Sequence, residues 1–235
     1  LIILINVPVV YLFIVNKPSD INQIPDGEEI TDNSEDTLGV DWTIQDLLKD
    51  RNFWILSLVF AIQFCSMMGI LSHLTFFSEG AGWSQAWGAF IFSMYAWPAM
   101  FSKVFFGWLV ENKIDARLAV SIAVLIQAIA TLLMIFVESP EQMVVLVMIF
   151  GFGGGSALPL SNILFNQAYT NKSFGKARGA AQPFISIFQI SGTLVAARMF
   201  DVFGNYELAF LTLGFILIVP LIAIWFLKEE PKLAS

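Results

Sequence analysis

Six apolar stretches constrain this chain more than any other feature: Phe53 to Phe77, Ala86 to Val110, Leu118 to Val137, Met143 to Ala168, Gly179 to Phe200 and Leu208 to Leu227. Each runs to about 20 residues or more, and a helix rising about 1.5 Å per residue crosses a hydrocarbon core of about 30 Å in that length. A segment in lipid must satisfy its own backbone hydrogen bonds, so the stretches are predicted to be transmembrane helices. The connections between them are short, as packed helical hairpins require. The predicted class is an all-α, multi-pass membrane protein. Composition agrees, with 57% hydrophobic and 13% charged residues and a mean hydropathy of +0.74.

Residues 1–15, LIILINVPVVYLFIV, are apolar but too short to span and lack the basic flank of a signal peptide. They read as the last part of a helix that begins upstream. Residues 16–51 form a Pro-, Asp- and Asn-rich loop ending in the amphipathic WTIQDLLKDR, which suits a membrane surface. Residues 52–228 are the six-helix bundle and 229–235 a tail. The net charge of −7 belongs to the loop: Asn16 to Asp50 holds ten acids against Lys17 and Lys49, so the remainder is about +1. That acidity argues against nucleic acid or anionic lipid as a partner of the loop.

Orientation follows from Lys and Arg, which cytoplasmic loops retain. Lys17, Lys49, Arg51, Lys113, Arg117, Lys172, Lys176, Arg178, Lys228 and Lys232 fall on one side if the six spans alternate, while Ser78 to Gln85, Glu138 to Gln142 and Asp201 to Glu207 contain none. The loop and the C-terminus are therefore expected in the cytoplasm, with the bundle in a plasma or inner membrane.

Two basic residues remain, Lys103 and Arg198, both inside spans. A lysine in a membrane helix costs about 2.5 to 3.5 kcal/mol on insertion scales and normally faces protein or water with a partner. No acid lies between Ala86 and Val110 to serve Lys103, whose helical face also carries Ala96, Ala99 and Gly107. Its stem could instead snorkel to the inner interface. Arg198 can pair with Asp201 three residues on. His73, the single histidine, is either a titrating group or a hydrogen-bonding link between helices. Small and polar stripes recur at helical spacing: Gln63, Ser66, Ile70 and His73; Gly151, Gly155, Pro159, Asn162 and Asn166; Gln182, Ser186, Gln189 and Thr193. Each would line a helix interface or a watery cavity. With one cysteine, Cys65, and one histidine there is no metal-ligand spacing, no cofactor motif and too little for nucleophilic or acid–base chemistry, so no enzyme is predicted. A seven-helix receptor would fit the span count, but the outer loops lack a cysteine to staple them.

The run S-K-V-F-F-G-W-L-V-E-N-K, Ser102 to Lys113, resembles the G-R-x-x-x-G-x-x-x-D-R element of the major facilitator superfamily, at the end of the eighth helix. Lys103 takes the Arg position, Gly107 the Gly and Glu111 the Asp, and Lys113 lies near the basic positions. W-T-I-Q-D-L-L-K-D-R-N-F-W, Trp42 to Trp54, is similar to the entry of the seventh helix. G-T-L-V-A-A-R-M-F-D-V-F-G-N-Y, Gly192 to Tyr206, is similar to the eleventh and its G-x-Y turn. The linker K-P-S-D-I-N-Q-I-P-D-G and the His73-Leu74 pair resemble the monocarboxylate transporter and oxalate/formate antiporter-like branch.

The resemblance implies a twelve-helix transporter of two six-helix halves that rock about a midplane site. This chain would supply the end of helix six, the central loop and helices seven to twelve; a missing N-terminal half would be its partner. The implied activity is secondary transport of a small organic anion, most naturally a monocarboxylate, driven by protons. Oxalate transporters of the branch are expected to carry a lysine in helix eleven, and none occurs from Gly179 to Phe200. Lys103 would bind the carboxylate, with His73, Asn162, Gln189 and Arg198 as further contacts and Gly107, Glu111 and Lys113 as the conformational motif. A neutral or amphiphilic solute is the alternative, with Lys103 then serving only the inner gate.

Overall fold

The computed structural model describes residues 41–228, apart from the side chains of Thr170 and Asn171; the predicted helix-six end, most of the acidic loop and the tail lie outside these. A short helix, Ile44–Lys49, precedes six spanning helices at Arg51–Gly80, Gln85–Asn112, Ala116–Phe136, Pro140–Tyr169, Lys172–Phe203 and Glu207–Phe226. They are referred to below as spans one to six. Their number among the described residues matches the apolar stretches. The largest shift in a boundary is at span five, which begins at Lys172 instead of Gly179.

Helix starts follow local chemistry. Thr43 and Asp46 form a reciprocal capping box on the short helix, and Asp50, Ser84, Asp115 and Ser139 cap the starts of spans one to four with side-chain oxygens. Span five ends at Gly204, whose φ of +74° is the left-handed closing conformation that a Cβ disfavours. Interruptions inside the spans also have causes. The helix breaks at Tyr95, Ser156 and Ile216–Leu217, in each case just ahead of a proline: Pro98, Pro159 and Pro220. Each proline removes an N–H and crowds the carbonyl four residues back, so the kink falls one turn earlier. Span one breaks at Ser72 and His73, where the Ser72 hydroxyl donates to the Met68 carbonyl at 2.6 Å.

The backbone is helical throughout Ala157–Phe203, yet this is no single rod. The Arg178 Nε donates to Asn162 Oδ1 at 3.2 Å. Sixteen residues of straight helix would hold those residues about 24 Å apart, so the chain reverses between spans four and five.

Two clusters of buried side chains follow one another along the bundle. One gathers Leu47, Phe53, Phe60, Phe165, Tyr169 and Ile224; the other gathers Ile70, Leu74, Met134, Met143, Tyr206 and Phe210. Contacts at the first end join the chain's entry, the four–five turn and the exit of span six. Trp42 N–H donates to Ser173 Oγ at 2.9 Å, Tyr169 donates its hydroxyl to Asp50, Lys176 pairs with Asp41, and Asn52 exchanges two hydrogen bonds with the Lys228 backbone. Lys49, Arg51, Lys172, Lys176 and Lys228 consequently share one end of the bundle, called the basic end below.

Span one is the most enclosed, with 72% of its apolar stretch buried; spans two and five are the least, at 22% and 17%. Spans two and five are thus the ones whose faces stay open in this chain.

Candidate functional site

The stripe on span one does not line a cavity. Gln63, Ser66, Ile70 and His73 are all buried. Gln63 Nε2 donates to Gln127 Oε1 and Gln127 Nε2 to the Gln63 carbonyl, both at 3.3 Å, which ties spans one and three together while Gln63 Oε1 stays unpaired. The glycines of span four likewise serve packing. A Cβ at Gly151 would lie 2.6 Å from the Tyr95 carbonyl oxygen, and one at Gly155 2.5 Å from Ala99 Cα, so spans two and four touch backbone to backbone.

His73 sits at the break in span one, away from the basic end. Its Nε2 lies 3.1 Å from the Thr193 carbonyl and its Nδ1 3.1 Å from the Tyr206 hydroxyl. A carbonyl only accepts, so Nε2 carries a proton and donates; in the neutral ring Nδ1 then accepts from Tyr206. The Ser72 hydroxyl adds a bond to Thr193 Oγ1 at 3.1 Å, and the Phe200 ring stacks on Tyr206 with centroids 4.6 Å apart. His73 therefore clasps span one to span five and to the start of span six.

The charged candidates lie on the open faces. Lys103 is exposed on span two, nine residues before its end at Asn112, which is about 14 Å of helix rise from the basic end. No described side chain pairs with it. Its neighbours Met100, Phe101 and Val104 are exposed and apolar, while Ser102 turns inward and donates to the Phe152 carbonyl. Arg198 is exposed on span five and forms no ion pair with Asp201, so the pairing anticipated from their spacing is not realised. Every acid within the six spans stands at or within two residues of a span end: Glu79, Glu111, Glu141, Asp201 and Glu207. The middle of the described bundle therefore carries cations and no carboxylate.

Span five presents Arg178, Gln182, Ser186, Gln189 and Thr193 at steps of three and four, a polar track from the basic end toward the His73 clasp. Gln182 Nε2 donates to Ser186 Oγ at 3.2 Å; Gln189 is half-buried, with no side-chain partner among the described residues. Asn162 and Asn166 are exposed on span four, and Asn162 accepts from Arg178. Arg178 looked like a loop residue in the sequence because the apolar run starts after it; the earlier start of span five brings it into the bundle. Gln127, a lone amide in an apolar stretch, was visible in sequence but had no stripe to belong to. Tyr206 was part of the turn motif, without a role until His73 was placed beside it.

Of the residues expected to form a conformational motif, Gly107 has open space where a Cβ would stand, and Glu111 and Lys113 are exposed and unpaired among the described residues. The ion pair in that loop is Arg117 with Asp115, Nε to Oδ1 at 3.2 Å. Burial works against the Asp115 carboxylate, but hydrogen bonds from the Arg117 side chain and backbone hold its pKa below the ordinary value. At the basic end, the Lys176 ammonium holds the Asp41 carboxyl low in the same way.

These features define an all-helical, multi-pass membrane bundle with cations on open faces. Residues 1–115 and 88–235 match the family model described as Major Facilitator Superfamily, and the chain belongs to that family. Two solved structures share the fold. One is titled "In meso crystal structure of the POT family transporter PepTSo", with 18% identity, a TM-score of 0.63 and coverage of 77% of this chain and 39% of that one. The other is titled "Crystal structure of tetrameric PepTSo2 in I4 space group", with 16% identity, a TM-score of 0.65 and coverage of 73% and 39%. The chain thus aligns with about two-fifths of the length of those proteins. No curated protein sequence matches it.

Proposed function

We propose that this chain is the C-terminal half of a secondary transporter for a small organic anion, most naturally a monocarboxylate moved together with a proton. The observation that carries the reading is Lys103: a cation about 14 Å inside a spanning helix, on an open face, with no described partner. An intramembrane ionisable group needs a counter-charge, and an arriving carboxylate provides one through a charge-assisted hydrogen bond. Family membership and the transporter relative of known structure support transport as the activity. The open faces of spans two and five are where the N-terminal half would pack and complete the site.

Gln189 on the polar track of span five and the exposed amide of Asn162 on span four are supporting polar contacts, while Arg198 stands on the opposite face of span five, about 180° round the helix from Gln189. His73 contributes a hydrogen-bonding group on span one, held between the Thr193 carbonyl and the Tyr206 hydroxyl. The second reading, an amphiphilic or neutral solute, is favoured by the apolar surround of Lys103 in Met100, Phe101 and Val104.

The test is uptake by the full-length transporter in proteoliposomes, using labelled acetate, lactate and benzoate with and without an inward proton gradient. Saturable carboxylate uptake, accelerated by the gradient and not competed by the corresponding amides, is expected. Carboxylate-independent uptake of neutral solutes would establish the second reading instead.

A further inference from the structure

The cation that this function leaves unused is Arg178. It lies six residues inside span five, about 9 Å of rise beyond Lys172, and is half-buried. Two side chains of span four hold it in place. Asn162 Oδ1 takes the Nε–H at 3.2 Å, and the guanidinium carbon lies 5.6 Å from the centroid of the Phe165 ring. Nη1 is buried without a hydrogen-bond partner, and no described acid pairs with the group. A buried N–H on a permanent charge is a strong donor left unanswered.

The chemistry of the missing partner follows from the edges still free. With Nε engaged, one ring face covered and Nη1 buried, Nη2 is the guanidinium nitrogen left within reach of a carboxylate oxygen, as a charge-assisted donor. The orientation of Asn162 adds to this. Because Oδ1 faces Arg178, the same amide's Nδ2 is free to donate. Along the track, the described neighbours Gln182 and Ser186 are neutral and bonded to each other. Unlike histidine, arginine keeps its charge at any pH the transporter meets.

We infer that Arg178 is a second anion-binding residue, which takes a substrate carboxylate on Nη2 closer to the basic end than Lys103, with Asn162 as the residue that positions it. This rests on the organic-anion reading given above. Lys103 and Arg178 are then two stations at different depths, about 14 and 9 Å from the basic end, on the two least buried spans.

The experiment is ligand-dependent thermal stabilisation of the full-length transporter in nanodiscs, titrated with acetate, lactate and benzoate and with their primary amides as controls. Arg178→Gln should weaken the apparent carboxylate affinity at least tenfold, and Arg178→Lys should weaken it less. Asn162→Asp places a tethered carboxylate against the guanidinium. It should weaken affinity at least tenfold while the ligand-free Tm is unchanged or raised, an effect a purely structural pair would not produce. Asn162 is exposed, so this variant decides the matter even if Arg178→Gln fails to fold. Carboxylate affinity within twofold of wild type in Asn162→Asp and in a folded Arg178→Gln overturns the assignment. So does a lowered ligand-free Tm with an intact carboxylate response, because the guanidinium would then serve one of the protein's own acids. If wild type responds to no carboxylate more than to its amide, the organic-anion reading itself falls, and this inference with it.

Discussion

Replacing Gly192 by alanine tests the packing on which the polar track depends. A Cβ at this position would lie 2.0 Å from the Cys65 carbonyl oxygen and 2.8 Å from its carbonyl carbon, whereas ordinary contact begins near 3.4 Å. Spans one and five must therefore part by about 1.4 Å at this point, since the obstructing atoms are backbone and no side chain can rotate away. From the other side, Gly69 also meets Gly192 too closely for a side chain, its own would-be Cβ lying 2.8 Å from the Gly192 carbonyl oxygen. Overpacking costs about 1 to 3 kcal/mol, and a backbone obstruction belongs near the top of that range. Alanine's better helix propensity returns about 1 kcal/mol, which leaves a loss of about 2 kcal/mol. Thermal unfolding of the protein should show a Tm about 5 °C lower. The neighbouring Thr193 moves with the helix, so its bonds to Ser72 and His73 weaken as well. Gly179→Ala, where a Cβ meets open space, should leave the Tm unchanged or slightly raised. A wild-type Tm for Gly192→Ala would refute the close contact of spans one and five.

Three other outcomes are expected. Tyr206→Phe removes the hydroxyl from His73 Nδ1 and should cost about 1 kcal/mol, while His73→Leu strands both the Tyr206 hydroxyl and its ring contacts and should cost more; thermal unfolding ranks the two, and the reverse order contradicts the clasp. In a Cys65→Ser background, cysteines at Gln85 and Glu138 should react with an impermeant thiol reagent on intact cells and those at Asn112 and Lys172 only after permeabilisation; labelling of Lys172→Cys from outside would invert the topology. The lowered pKa of Asp41 means that its link to Lys176 is present above the ordinary carboxylate range and is lost as pH falls through the depressed folded value, so acid should free the chain's entry from span five. Asp41→Asn should reproduce that release at neutral pH, read as a quencher or spin-label distance between positions 41 and 176, and an unchanged distance would count against the tie.

Hydrophobic length alone made the six spans legible, because a bilayer sets one length scale and leaves a helix no alternative way to satisfy its backbone. Pro98, Pro159 and Pro220 each follow a break in the helix, whereas Pro183 lies inside span five without one, so a proline in the sequence did not by itself mark a kink. Faces were harder to read. A polar stripe has the same spacing whether it meets water or another helix, so the sequence left Gln63, Ser66 and His73 open to both, and in the structure all three are buried. Arg178 was hidden by a boundary: hydropathy ends a span where charge begins, yet hydrogen bonding and ring contact carry this helix seven residues further than the apolar run. Partner choice is also absent from a one-dimensional pattern. The spacing of Arg198 and Asp201 favours an ion pair that the structure does not form, whereas Asp115 and Arg117, two apart across a helix start, do form one.

The central claim is that Lys103 carries the substrate's counter-charge, and uptake by the full-length transporter carrying Lys103→Gln tests it most directly. Removing one partner of a desolvated charge pair costs about 2 to 5 kcal/mol, on the order of a hundredfold or more in apparent affinity. Carboxylate uptake should therefore be abolished or fall by that factor while protein level and membrane insertion stay normal. Lys103→Arg should keep a measurable part, since the charge remains while the donor geometry changes. Wild-type affinity and rate in Lys103→Gln would contradict the account.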